Sequence, residues 1–98
     1  MKSRDPDVVL LASLADPTRL SIVRQLAQRR TLCVCDFTEC CNVSQPTISH
    51  HIKVLREAGV VSSERRGTNV YCSLAPGFTE RYAAIGTSLA GLVAIGER

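Results

Sequence analysis

A mostly helical fold carrying one small β-hairpin, in the order α-α-α-α-β-β-α, is predicted by three observations. Apolar residues recur at helical spacing up to Ala58 and are stopped by Gly59, two β-prone runs follow at once, and helical spacing returns after Pro76-Gly77. The first helix, over 7–15, is apolar on nearly all sides, because Val8, Val9, Leu10, Leu11 and Leu14 leave little polar face. Such a helix has to be covered by its own domain or by a partner. Asp16-Pro17 then supplies an N-cap and a proline at the first helical position. Leu20, Val23 and Leu26 give this second helix its apolar stripe, and it ends near Gln28-Arg29-Arg30, where cations suit the negative end of the helix dipole.

A short third helix starts around Cys35-Asp36 and ends by Cys41. Asn42-Val43 breaks the chain, and Ser44 caps a fourth helix with Pro46 in its first turn. Ile48, Ile52 and Leu55 form one buried stripe on it, which leaves Gln45, Thr47, Ser49, His50 and Lys53 for solvent. Residues 60–64 and 69–74 are the two strands, joined by Arg65-Arg66-Gly67-Thr68 as a hairpin with a basic tip. The last helix runs over 78–95, and Phe78, Tyr82, Ile85, Leu89, Leu92 and Val93 give it a wider apolar face than a small domain covers alone.

The chain of 98 residues is read as one domain, close to the size at which a single core leaves a narrow stability margin. Its net charge is only +3, so affinity for a polyanion has to come from where the positive charges sit. Ten of the twelve positive residues are arginine, with doublets at Arg29-Arg30 and Arg65-Arg66. No apolar run approaches the roughly 20 residues that span a bilayer, and MKSRDPD lacks the apolar core of a signal peptide. A cytoplasmic protein without membrane contact is the expectation, and there clustered thiols read as metal-binding or redox groups before they read as disulfides.

Two short helices separated by a tight turn, followed by a basic hairpin, describe a winged helix-turn-helix, with the helix-turn-helix over 35–58 and the wing over 60–74. The major groove admits one α-helix, and short side chains that donate and accept can read base edges there. Ser44, Gln45, Thr47, Ser49, His50 and Lys53 are the candidate DNA contacts on the fourth helix, with Arg65 and Arg66 on the hairpin. Gln45 can pair two ways with adenine, Thr47 offers a methyl to thymine, and the arginines suit phosphate or a minor groove. His50 and His51 point about 100° apart on a helix, which argues against a shared metal. His50 is expected to face DNA and His51 to be partly packed.

LADPTRLSIVRQL, LCVCD, SQPTISHHIKVLREAGVV and RRGTNVYCSL, in that order, resemble the ArsR/SmtB family of metal- and metalloid-responsive bacterial repressors over about residues 8 to 75. The resemblance implies a homodimer built from the first and last helices, 7–15 and 78–95, and release from double-stranded operator DNA when an inducer binds. A two-fold dimer would place two reading helices about one DNA turn apart and call for an inverted-repeat operator. An enzyme is not expected: there is no glycine-rich loop and no CxxC beside a βαβ pattern.

The cysteines decide which inducer fits. Three thiolates in a pyramid suit As(III) or Sb(III), four in a tetrahedron suit zinc, and other thiophilic metals remain open. No permanently bound cofactor is expected. Resemblance to the arsenic-responsive branch points to Cys33 and Cys35 of the CVCD motif as ligands. The position three after Cys35, a cysteine in that branch, is Thr38 here. Cys40 and Cys41 are the replacements at hand, lying about 140° and about 120° round the helix from Cys35 on opposite sides. Either can instead be core, since free cysteine is among the most buried residue types. Cys72 alternates with Val70 and Leu74 on a strand and reads as packed. Two alternatives share the fold: a thiol redox or persulfide sensor using the same cysteines, and a regulator of a nickel or zinc pathway without a functional cysteine site.

Overall fold

The computed structural model describes residues 5–41 and 43–96, with side chains described for all of these except 38–41 and 92–96. In chain order the elements are α1 (Pro6–Leu14), α2 (Pro17–Arg29), β1 (Leu32–Cys33), α3 (Val34–Cys41), α4 (Gln45–Glu57), β2 (Val61–Arg66), β3 (Asn69–Leu74) and α5 (Phe78–Gly96). This is a winged helix-turn-helix, mostly helical with a small antiparallel hairpin.

Three helices start on side-chain caps that the sequence supplies. Asp5 accepts from the Asp7 N–H, Asp16 from the Arg19 N–H and Ser44 from the Thr47 N–H, and each is followed by proline within the first turn. The bond from the Arg19 N–H is the largest cause holding the Asp16 carboxyl below its usual range. The core gathers one face from each element: Leu10, Ile22, Leu26, Phe37, Ile48 and Leu55 are essentially inaccessible to solvent. Leu10 and Ser13 are buried in α1, so this helix is covered by its own domain on one side. Val8, Val9 and Leu11 of α1, with Tyr82 and Leu89 of α5, stay exposed, Leu89 by 77%.

Three features depart from the expected outline. First, β1 adds an edge to the hairpin, giving the order β1-β3-β2 with Leu32 opposite Cys72 and Cys33 opposite Tyr71. Cys33 is therefore fixed in a sheet, and α3 starts at Val34, one residue earlier than expected. Second, the turn occupies only Gly67 and Thr68, so Arg65 and Arg66 are strand residues opposite Val70 and Asn69. Gly67 at φ 64 meets the positive φ that a two-residue turn needs at its first central position. Third, Gly91 at φ 59 and ψ −154 interrupts α5, which the apolar spacing reads as unbroken to residue 95. Glycine alone takes that conformation at no steric cost. Among the described residues no helix is long and apolar enough to cross a membrane.

Candidate nucleic-acid interface and thiol pair

Buried Ile48, Ile52 and Leu55 seat α4 against the core and leave its other residues to solvent. Gln45, Thr47, Ser49, His50 and Lys53 are all exposed, as the spacing predicts. They cover about 200° of the helix at 100° per residue, more than one face in a groove presents. Gln45 and Ser49 lie on the flank toward the wing, where with Arg56 and Ile52 they line a cleft closed by Thr68, Asn69 and Val70. His50 and Lys53 point outward. Thr47 lies toward the other flank, its hydroxyl 3.0 Å from that of Ser44, so the structure commits Ser44 to capping and couples Thr47 to it. His51 is half-buried and turned to Arg19, with its Nδ1 3.2 Å from the guanidinium.

On the wing, adjacent strand residues point to opposite faces. Arg66 lies over the Tyr71 ring at 5.1 Å and pairs with Glu64 at 3.2 Å, which holds it against the sheet. Arg65 points to the other face and makes no such contact among the described residues. The two arginines therefore do not form one basic tip. Arg56, by contrast, is an exposed cation between α4 and the wing that the apolar spacing does not single out. It falls seven residues after Ser49 and eleven after Gln45, on the same helical face, and that offset is the signal for it.

The thiol pair opens on the same cleft. Cys33 ends β1 and Cys35 sits in the first turn of α3, and the cleft, about 400 Å³, is lined by both together with Val34. Their sulfurs are 2.6 Å apart, longer than the roughly 2.05 Å of a disulfide, and neither cysteine is in one. The backbone shows why they meet. Cys33 occupies the N-cap position of α3, where its Sγ accepts from the Cys35 N–H at 3.4 Å while Asp36 Oδ2 accepts from the Cys33 N–H at 2.9 Å. This is a capping box with a thiol in place of the usual hydroxyl and Asp36 in the third position. The CVCD stretch thus reads as cap, two helical residues and reciprocal acid. The Cys35 thiol is raised above its usual range, first by its hydrogen bond to Cys33, then by burial and by the charges of Cys33 and Asp36. The Cys35 thiol is thereby held toward its protonated form.

Among the described residues no third His, Cys, Asp or Glu completes a metal-sized cluster. The candidate ligands Cys40 and Cys41, and Thr38, have side chains outside the described residues. Cys72 is wholly buried, and burial, with the nearby Cys33 second, pushes its thiol up to about 11 from 9.0. The folded chain holds that proton more tightly than the unfolded chain, so its stabilising contribution is present below about pH 9 and lost as pH climbs through about 11. The melting temperature is expected to fall across that interval and to fall less in Cys72→Val. Equal falls in both proteins would contradict the assignment.

A model for bacterial regulatory proteins of the arsR family matches residues 16–63, from the cap of α2 into β2. An uncharacterized HTH-type transcriptional regulator of Methanocaldococcus jannaschii is 37% identical over 68 residues, covering 69% of this chain and 76% of that one. The arsenical resistance operon repressor of Bacillus subtilis is 44% identical over 62 residues, covering 63% of this chain and 59% of its own length. The chain thus spans less than two thirds of that relative. Among solved structures, the homodimeric winged helix-turn-helix DNA-binding domain of a possible ArsR-family regulator from Mycobacterium bovis superposes with a TM-score of 0.72 at 26% identity. That match covers 92% of this chain and 82% of the other.

Proposed function

The chain belongs to the arsR family of bacterial regulatory proteins, DNA-binding regulators rather than enzymes, and from that premise we propose that it is a cytoplasmic, homodimeric repressor released from its operator by trivalent arsenic or antimony. The observation that carries this reading is the thiol cap: Cys33 and Cys35 meet where α3, α4 and the wing converge.

In the DNA-competent state α4 presents His50 and Lys53 outward and Gln45, Ser49 and Arg56 toward the wing, and α3 holds α4 in place through the core. Cys33 Sγ helps to hold the first turn of α3 by accepting from the Cys35 N–H. A soft ion taken by both sulfurs competes for those lone pairs, loosens that turn and fills the cleft between reading helix and wing. A third thiolate from Cys40 or Cys41 would complete a pyramidal set. Release then requires the ligand to favour the loosened state by about 1–3 kcal/mol, a usual size for coupling between two sites. The exposed apolar residues of α1 and α5 support the homodimer, as does the homodimeric neighbour. A two-fold dimer in turn reads an inverted repeat.

The test is a titration of the reduced protein, bound to DNA from its own promoter, with arsenite. Near-stoichiometric arsenite is expected to release the wild type and to leave Cys33→Ser and Cys35→Ser bound. A complex indifferent to arsenite would sink the metalloid reading and leave the DNA-binding one standing. The contact between the two sulfurs also favours a thiol redox or persulfide switch. The raised Cys35 pKa disfavours it, because the thiolate is the reacting form. Release by peroxide or polysulfide without metalloid would select that alternative. Release by nickel or zinc from a protein lacking all four clustered cysteines would select the third.

A further inference from the structure

Two arginines that face neither the DNA side nor the thiol pair tie α1 to α4 at two separate points. Arg19 of α2 donates through Nε to the Ser13 carbonyl at 2.6 Å, and its Nη1 lies 3.2 Å from His51 Nδ1. Arg81 of α5 donates through Nη1 to the Ala58 carbonyl and through Nη2 to the Pro6 carbonyl, both at 3.3 Å. Ser13 and Ala58 are at helix C-terminal ends, where carbonyls lack helical partners and the dipole attracts a cation. Neither guanidinium pairs with a side-chain carboxylate among the described residues.

The placement is regular. Seven residues separate Pro6 from Ser13, and seven separate His51 from Ala58, about 10 Å of helix in each case. One bridge between two helices is a pivot, whereas two bridges that far apart prevent swivelling. Backbone chemistry at Gly59 admits the second bridge. Its φ of 81 is left-handed, and a Cβ there would come within 2.7 Å of Arg81 Nη1.

We infer that Arg19 and Arg81 are positioning residues that lock the reading helix onto α1, so that the arrangement of α1 and α5 sets how far apart the two reading helices of a dimer stand. This rests on the reading of the chain as a dimeric DNA-binding regulator. Neither arginine touches DNA in this account; each acts through the angle of α4.

The experiment uses the full chain as wild type, as Arg19→Met/Arg81→Met and as Arg81→Lys, which keeps the cation but reaches one carbonyl only. Dimerisation is measured by sedimentation. DNA affinity is measured against a duplex selected by the wild type from a random pool, over a range of salt, and against the same duplex with one base pair inserted between its half-sites. Folded, dimeric variants are expected to bind the selected duplex roughly tenfold more weakly, with Arg81→Lys between the two. Their salt slope should match the wild type, and the penalty for the inserted base pair should shrink. A role in stability alone would move the melting temperature and leave the spacing penalty intact, which would overturn the inference. A salt slope reduced by about one per arginine would overturn it differently, by marking phosphate contacts. Loss of the dimer would assign the arginines to the subunit interface instead. Should the double variant not fold, Arg81→Lys faces the same outcomes. Should the wild type select no duplex, the regulator reading itself fails and this inference falls with it.

Discussion

The Cys35 proton is expected to make cadmium affinity climb about tenfold per pH unit below about pH 9, while arsenite affinity at that sulfur stays nearly flat. The difference follows from proton balance at the thiol pair. The Cys35 thiol is raised by its bond to Cys33, by burial and by the Asp36 carboxylate, so this sulfur meets an incoming ion protonated. Arsenite arrives as a neutral trihydroxide. Each arsenic–sulfur bond that forms takes up one thiol proton and one hydroxide, which leave as water, and no net proton appears. A divalent cation has no hydroxide to give, so the Cys35 thiol releases its proton to solvent, and that step makes the binding constant vary as the inverse of proton concentration. Calorimetry in buffers of different ionisation enthalpy counts that proton. Arsenite affinity that falls as pH rises would mean that the Cys35 thiol is already ionised near neutrality, against the direction assigned to it.

The largest loss of stability is expected from Phe37→Ala. Phe37 is fully buried in α3, and the helix that bears it is the seat of α4. Removing a buried phenyl ring costs about 3–5 kcal/mol, because the cavity left behind collapses only in part. Total stability for a domain of this kind is about 5–15 kcal/mol, so the variant approaches the unfolding threshold. At roughly 4–8 °C per kcal/mol for a chain of this size, the melting temperature should drop by well over 10 °C. DNA affinity should fall without any inducer, since α4 loses its support. Cys35→Ala, at an exposed position of the same helix, should cost about 0.5 kcal/mol or less. A phenylalanine variant that melts within a few degrees of the wild type would show that α3 contributes little to the seat of α4.

Much of this architecture is written locally. Asp16-Pro17, Ser44 and Gly59 mark helix ends through chemistry confined to a few residues, and the structure puts the ends there. What could not be read depends on distant partners. Strand β1 has two residues and no periodicity of its own; Tyr71 and Cys72 make it a strand. Arg65 and Arg66 look like turn residues because they adjoin Gly67, yet Gly67-Thr68 alone closes the hairpin and the pair is split between two faces. Gly91 is one of six glycines, and spacing does not show which of them breaks a helix. At the thiol pair, the resemblance supplies Cys33 and Cys35 as candidates, but the capping role of Asp36 is hidden because sulfur seldom stands where a serine hydroxyl would. Arg19 and Arg81 carry no local signature, since their partners are carbonyls and a histidine on other helices.

The β1–β3 pairing bears on the order in which the molecule assembles. Leu32 and Cys72 are forty positions apart in the chain, and contacts of that separation form only after the loop between them has closed. Helices α1 to α4 draw mainly on nearer neighbours and can take shape first. The β1 edge that fixes Cys33 is then among the last parts of the fold to be finished, and a chain still emerging from synthesis can form α4 before Cys33 is held in a sheet.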